Sequence, residues 1–313
     1  PYSSVGYRVS ADEQSDDVWG NIGRVQYLYA GEGDLTEVKL GIGWEVVKRV
    51  SIGVAAQYYW GDIERTYQTV VSNNIVNGGS VNTVTGTDSY GISRIKMQLG
   101  LQADLIQSER QVLTLGATYD MGGNLRPSVN QTVVNGDIYG TVVRGDTTRM
   151  ALKLPVQLGV GLYYQNAKIA AGVDYIYQNW ENNESPKSVP GAVNVAYKNT
   201  NTVKLGFEYT PNRMDIRNYL KRWSYRVGFR YGTYYQTFEG KTLSQYAVTA
   251  GFGMPFLGRS SIDFGVEFGQ RGNDSPLRID NRQIGLVRQR YVKFSLGLTL
   301  FGEDSWFVRY KYD

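Results

Sequence analysis

The chain has 313 residues, a formal net charge of +4, and neither histidine nor cysteine. Their absence excludes an imidazole base, a thiol nucleophile, a disulfide framework and a Cys/His zinc site, and with them the Ser-His-Asp hydrolases and the zinc fingers. The positive charges are spread along the chain and form no basic arm for nucleic acid. No uncharged apolar run reaches the ~18 residues of a membrane helix. An acid or lysine mechanism stays open on composition alone.

Apolar residues at every second position mark the predicted strands. In one segment they are Met150, Leu152, Leu154, Val156, Leu158, Val160, Leu162 and Tyr164. The residues between them are mostly small or polar. A helix would space its apolar residues by three and four, so this pattern predicts a strand with one apolar face and one polar face.

The same alternation recurs along the chain and predicts about thirteen strands. In chain order they are 2–10, 23–31, 35–46, 50–70, 88–107, 110–122, 146–165, 167–180, 196–210, 222–238, 242–254, 259–270 and 286–301. Many exceed the ~5–6 residues of an average soluble strand, and aromatic residues gather at the ends of the oily rows, as in membrane barrels. The sequence therefore predicts an all-β transmembrane antiparallel barrel, of about 14 strands in the full protein. A large soluble all-β protein is the alternative.

The predicted connections differ in length. Long polar segments at 71–88, 122–140, 181–194 and 270–285 contrast with short links at 107–110, 165–168 and 257–260. Long loops of outer-membrane barrels face outside. If the long loops are outside, strands alternate in direction between long loops and short links, and the count predicts that 2–10 and 286–301 both descend toward the periplasm. Because a barrel of this kind has an even number of strands, an ascending strand is then expected before Pro1.

On this prediction residues 1–301 form the barrel and residues 302–313 form a periplasmic tail. The alternative is that Trp306, Val308, Tyr310 and Tyr312 form one more short strand, which would reverse the strand directions. Trp306, Phe307, Tyr310 and Tyr312, mixed with basic residues, are also candidates for docking a partner protein.

One hairpin carries a family resemblance. In LPVQLGVGLYYQNAKIAAGVDYIYQNW, residues 154–180, Leu154-Pro155, two glycines, Tyr163, Asp174 and Trp180 resemble the LP…G…Y…D…W hairpin of the FadL-type outer-membrane transport family. PYSSVGY, GRSSIDFGVEFGQRG and RYVKFSLGLTLF resemble a branch described only as outer-membrane protein. The resemblance implies a fourteen-stranded monomeric barrel with an inward-folded N-terminal hatch, which would precede Pro1. It also implies passage of hydrophobic compounds with sideways release at a strand kink, although some relatives serve secretion or barrel assembly instead.

Six residues are candidates for the lumen or the wall. Arg226, Arg230, Asp174, Asp263 and Glu267 fall on the wet faces, and Pro155 interrupts a wet row. The two arginines could hold a carboxylate headgroup, but pairing with Asp263 or Glu267 is the favoured interpretation. Pro155 removes one ladder donor, so it marks either a strand kink that helps a lateral opening or, preferably, a strand end or bulge near the rim.

Two functions follow for a protein of the bacterial outer membrane. The first is a channel for hydrophobic or amphipathic small molecules, and the second is a non-transporting accessory subunit of an outer-membrane protein assembly or secretion complex. No enzyme is expected, because the barrel enzymes of this membrane use a histidine that the chain lacks. We expect no cofactor, no metal and no nucleic acid. The expected partners are outer-membrane lipid and either a hydrophobic substrate or other outer-membrane or periplasmic proteins.

Overall fold

The computed structural model describes residues 3–13, 24–72, 81–125, 127–135, 142–149, 153–181, 195–238, 240–257, 260–279, 282–286 and 288–299. These residues form nineteen strands and one short 3-10 helix, Tyr219–Arg222. The strands are β1 Ser3–Glu13, β2 Arg24–Val47, β3 Val50–Ser72, β4 Val81–Gln107, β5 Gln111–Asp120, β6 Gly123–Asn124, β7 Ser128–Asn135, β8 Val142–Arg149, β9 Lys153–Leu154, β10 Val156–Asn166, β11 Ile169–Asn179, β12 Val195–Tyr197, β13 Thr200–Tyr209, β14 Ser224–Phe238, β15 Lys241–Leu257, β16 Ser260–Arg271, β17 Pro276–Ile279, β18 Arg282–Gly285 and β19 Gln289–Thr299. Within the described ranges, no helix has the length and apolar character to cross a membrane.

One antiparallel sheet of 15 strands contains nearly the whole fold. Its path runs β1-β2-β3-β4-β5-β10-β11-β13-β14-β15-β16-β19, with β7, β8 and β12 attached beside it. Neighbours along the path are joined by up-and-down connections, and their ladders are antiparallel throughout. This up-and-down arrangement is the one that lets a β-structure cross a bilayer, because each backbone polar group pairs with the next strand.

The two faces of the sheet have opposite chemistry. On β2, Leu40, Ile42 and Trp44 are 74%, 78% and 71% exposed, and alternate with Lys39 and other inward residues. Exposed apolar rows continue on the other long strands, including Ile52 and Val54, Ile95 to Leu101, Val227 to Tyr231, and Val292 to Leu298. An apolar surface of this extent is stable in lipid and not in water. The predicted all-β transmembrane barrel fold is therefore confirmed.

The two edges of the sheet also differ. One, here called the short-turn edge, carries the connections 48–49, 108–110, 167–168 and 210–223. At the 167–168 turn, Asn166 Oδ1 accepts hydrogen bonds from the backbone N–H groups of Lys168 and Ile169, at 2.9 and 2.7 Å. The opposite, long-loop edge carries the connections after β1, β3, β5, β11 and β16. The short links predicted at 107–110 and 165–168 are confirmed.

The first correction to the predicted strands concerns β2. The segments 23–31 and 35–46 are parts of a single strand, β2, which pairs with β3 in one unbroken register from Arg24↔Ser72 to Trp44↔Ile52. The pair bends at Gly33 and Gly61, which have φ values of +124° and +152°. Since β2 descends to the short-turn edge, β1 ascends, so the predicted descent of residues 2–10 was wrong. The expectation of a strand before Pro1 stays a prediction.

The segment between β5 and β10 also differs from the prediction. Residues 122–140 were expected to be a loop, yet β7 lies within them and extends the wall by pairing with the upper half of β4. The predicted strand 146–165 is divided into β8, β9 and β10. Pro155 lies between β9, which pairs with β6, and β10, which pairs with β5 and β11. Pro155 is thus a strand-end proline where the pairing partner changes, as the favoured interpretation held.

The tail 302–313, with Trp306, Phe307, Tyr310 and Tyr312, lies outside the described residues. Its assignment as tail or strand stays a prediction.

Replacing Gly61 with alanine is expected to destabilise the barrel by about 1–3 kcal/mol, because its φ is positive and the new Cβ would overlap the Asp34 carbonyl oxygen. The measurement is reversible urea unfolding in detergent micelles. Gly206→Ala is the control, since a Cβ at that strand position meets no atom within 4 Å. Equal stability of the two variants would show that the bend does not depend on glycine.

Candidate functional site

A row of amides and hydroxyls crosses the inner face toward the long-loop edge. Gln157 Nε2 donates to Asp120 Oδ2 at 3.1 Å, and Gln178 Nε2 donates to Gln157 Oε1 at 2.7 Å. Gln178 Oε1 in turn accepts from Trp180 Nε1 at 2.9 Å and from Thr200 Oγ1 at 3.2 Å. These side-chain hydrogen bonds link four consecutive strands, β5, β10, β11 and β13, on the inner face and add to their backbone pairing.

A small apolar cluster covers part of the inner face beside the bend. Leu125, which follows β6, packs with Leu35, Tyr59 and Ile92, all at most 4% exposed. Arg94 Nε donates to the Leu125 carbonyl oxygen at 3.3 Å and holds this segment against β4. The residues after β5 therefore fold inward and occupy space that a wide channel would leave open.

Arg226 joins three strands on the inner face. Its Nε donates to Glu208 Oε2 at 2.8 Å, and its Nη1 pairs with Asp263 Oδ1. Glu208 is on β13, Arg226 on β14 and Asp263 on β16, so the guanidinium group reaches across β15. Gly253 on β15 makes that reach possible, since a Cβ there would collide with Asp263 Oδ1.

Arg230 repeats the arrangement four residues further along β14. Its Nη2 lies 3.1 Å from Glu267 Oε1 and 3.2 Å from Tyr291 Oη, and Tyr291 also donates to Glu267 Oε1 at 2.7 Å. Tyr291 lies over Gly269, where a Cβ would overlap its ring. Arg226 pairs with Asp263 and Arg230 pairs with Glu267, so the favoured interpretation that the two arginines pair with Asp263 or Glu267 is confirmed.

The lumen candidates gather around one recess of about 690 Å³. Its polar lining comes from Asp174, Lys204, Glu208, Arg226 and Asp263. Asp174 faces Gly161 and Lys204 across its two ladders. Pro155 lies outside this group, on the other side of the row formed by Gln157 and Gln178. The recess thus brings together three of the six candidates, Asp174, Arg226 and Asp263. Arg230 is opposite Lys204 in the β13–β14 ladder and pairs with Glu267.

The connection 210–223, at the short-turn edge, is a structured loop that sequence reasoning did not single out. Asn212 N donates to the Lys221 carbonyl at 2.8 Å, and the Thr210 and Ser224 hydroxyls join its ends at 2.8 Å. Asp215 Oδ1 accepts from the backbone N–H groups of Arg217 and Asn218, at 2.9 and 2.8 Å. These side-chain acceptors replace a regular ladder and fix the loop in one shape.

The base of this loop is attached to the outer wall. Tyr219 Oη donates to the Pro255 carbonyl at 2.7 Å, and Tyr225 Oη donates to the Leu220 carbonyl at 3.0 Å. Trp223 stacks on Phe252 with ring centroids 5.1 Å apart. Aromatic side chains at this level mark the boundary of the bilayer. The Asn212, Asp215 and Asn218 spacing is the sequence signal that could have identified the loop.

These features define a class: a transmembrane antiparallel β-barrel with a polar, ion-paired inner face. Within that class, the chain belongs to the BamG family, whose sequence model matches residues 1–313. BamG is a family distinct from the FadL-type transporters, so the resemblance inferred from the hairpin is confirmed for the architecture and not for the family. A search of curated proteins found no match.

Two solved structures share the architecture. The CymD monoaromatic hydrocarbon channel is 13% identical, with 86% of this chain and 82% of that chain covered and a TM-score of 0.52. A FadL homologue from Pseudomonas aeruginosa is 14% identical, with 92% and 72% covered and a TM-score of 0.55. At such identities the likeness shows the fold alone.

Arg226 and Asp263 are expected to couple by about 0.5–1 kcal/mol, because the pair is partly exposed to water. The measurement is a double-mutant cycle of Arg226→Gln and Asp263→Asn by urea unfolding, at low and high salt. The coupling should fall as salt screens the pair. A cycle of Arg226→Gln with Glu267→Gln is the control, since Glu267 pairs with Arg230 instead. Equal coupling in both cycles would contradict a specific pair.

Asp215 is expected to hold the 210–223 loop in a pH-dependent way. The backbone N–H of Asn218, with a further contribution from Arg217, lowers the pKa of the Asp215 carboxyl below its ordinary value. The stabilisation is therefore complete above the ordinary aspartate pKa and is lost as pH falls through the lowered one. The protection of the Arg217 and Asn218 amides against hydrogen exchange, relative to the intrinsic exchange rate at each pH, should fall in that acid range.

At neutral pH, Asp215→Ala should increase tryptic cleavage after Arg213 and Arg217 several-fold. Asp215→Asn, which keeps an oxygen acceptor, should change cleavage less and should remove the acid dependence. Unchanged cleavage in the alanine variant would show that the carboxylate does not order the loop.

Proposed function

We propose that the protein is an outer-membrane barrel that acts as a non-transporting accessory subunit of an outer-membrane protein assembly or secretion complex. The observation that carries the proposal is the inner face, where arginines and carboxylates of β13, β14 and β16 neutralise one another across the sheet. The long-loop edge would face outside and the short-turn edge the periplasm.

A channel for hydrophobic compounds needs an apolar path with a few polar groups that fix orientation. The recess places charged groups, among them Asp174, Lys204 and Glu208, beside its apolar lining residues, and the amide row of Gln157 and Gln178 adds further polar groups to the inner face. The apolar side chains near the bend pack on Leu125 and on one another. The described inner face therefore favours a structural role over a hydrocarbon route.

The second candidate is a channel for hydrophobic or amphipathic small molecules. It is supported by the architecture shared with the CymD monoaromatic hydrocarbon channel and the Pseudomonas aeruginosa FadL homologue. Because one barrel architecture can host unrelated functions, this support is weaker than that from the inner face.

Gentle extraction distinguishes the two functions. A tagged full-length protein, solubilised in mild detergent, should co-purify with other outer-membrane or periplasmic proteins in fixed proportion. An unrelated outer-membrane barrel with the same tag, extracted in parallel, is the control. A clean monomer from repeated mild extractions would contradict the accessory role.

Uptake measurements complete this test. Deleting the gene should leave the uptake of a radiolabelled long-chain fatty acid and of a monoaromatic hydrocarbon unchanged in intact cells. A loss of uptake that the wild-type protein restores, together with a clean monomer, would establish the channel instead.

A further inference from the structure

The 210–223 loop projects two apolar side chains that contact almost nothing. Met214 is 87% exposed and Ile216 is 99% exposed, more than the most exposed apolar residues of the outer wall, Ile42 at 78% and Phe294 at 80%. Of the described connections at the short-turn edge this is the longest, and the others have two or three residues. An unbranched methionine beside an exposed isoleucine is a combination suited to filling a partner's apolar pocket.

The tip is presented in a fixed orientation. Residues 212 and 221 pair through the backbone. Before Ile216, Asn212 Oδ1 accepts the N–H of Met214; after it, Asp215 Oδ1 accepts the N–H groups of Arg217 and Asn218. Tyr219 and Trp223 attach the returning half to the wall. A loop already ordered in this way loses little conformational entropy when it binds.

The charge around the tip is positive. Residues 210–223 contain Arg213, Arg217, Lys221 and Arg222 against the single carboxylate of Asp215. The other described turns of this edge add four cations, Lys48, Arg49, Arg110 and Lys168, and one anion, Glu109; of these, Lys168 is on the turn next to the loop. Arg213 is directed partly toward Glu208, at 3.5 Å, and its side chain is still 61% exposed. A surface of this sign attracts a carboxylate-rich partner.

We propose that the 210–223 loop docks into a periplasmic protein surface on which carboxylates surround an apolar pocket, with Met214 and Ile216 filling the pocket. This inference rests on the proposed accessory function and names the surface that serves it. Arg213 and Arg217 pair with the surrounding carboxylates.

A protein partner fits the tip better than the bilayer does. Asp215 lies between the two apolar residues in sequence, and its carboxylate would have to enter lipid with them, which is costly. The membrane-facing contacts of the loop are made instead by Tyr219, Trp223 and Tyr225. A loop ordered by hydrogen bonds, moreover, favours binding to a pocket of complementary shape, whereas fluid acyl chains have no fixed shape to match.

Site-specific photo-crosslinking in intact cells tests the proposal. A benzophenone-bearing amino acid is placed at position 214 or 216 of the full-length protein, and at position 109 of the 108–110 turn as a matched control. We expect one dominant adduct from 214 and 216, absent from 109. Sequencing of the crosslinked peptide should place it on a periplasmic segment with carboxylates flanking apolar residues.

Charge reversal gives the second readout. With the probe at 216, the pair Arg213→Glu and Arg217→Glu should lower the adduct yield at least tenfold. The pair Arg213→Lys and Arg217→Lys should keep it within about twofold, because the charge is retained. Heat-dependent gel mobility checks that every variant is a folded barrel.

Other outcomes overturn the proposal. They are adducts to phospholipid, to a second copy of this chain, or to the same proteins as the probe at 109, and a yield that charge reversal leaves unchanged. If gentle extraction recovers partners while the tip gives no specific adduct, this docking site is wrong and the accessory function stands. If extraction gives a clean monomer, the function itself fails.

Discussion

Every peptide group within a bilayer must find its hydrogen-bond partner in the protein, and this constraint organises the whole molecule. It forces the chain into consecutive antiparallel neighbours, from β1 and β2 to β16 and β19. Alternation along each strand then places one set of side chains in lipid and the other inside. The composition of each face follows, because lipid accepts Leu40 and Ile42 while the interior accepts Lys39 and Gln98.

Inside the barrel, the space above each strand limits how far the side chains of neighbouring strands can reach. Side chains such as Arg226 and Tyr291 can reach a second or third strand only where the strand they cross carries glycine, as at Gly253 and Gly269. The glycines of the inner face therefore leave the space that the long polar side chains of neighbouring strands occupy. Their effect is to link strands distant in sequence, Glu208 to Asp263 for example, by charge in addition to the ladder.

The faces of the sheet were predictable because alternation is a local property of each segment. That the two arginines pair with Asp263 or Glu267 was predictable for the same reason, since all four residues fall on the polar face; which arginine pairs with which carboxylate came from the structure. The division of β2 at residues 31–35 was wrong because glycine and aspartate usually end strands. Here Gly33 lies against Asp62 and Ile63 of β3, Gly61 lies against Asp34 and Leu35 of β2, and the two strands continue in the same register past both positive-φ glycines. Whether a strand continues through such glycines depends on the strand it pairs with, and the sequence of one segment does not identify that partner.

The same limit explains why the 210–223 loop was missed. Its residues have no period of two or of 3.6, and Asn212, Asp215 and Asn218 look like ordinary turn formers until their backbone partners are known. The inner face and this loop both indicate that a partner is bound at the edge of the sheet. Ion pairs and amide rows occupy the interior, while the exposed Met214 and Ile216 are held outside the wall by a loop that needs several specific hydrogen bonds. In a barrel whose interior groups bind one another, the surface left to recognise another molecule is at the edge of the sheet.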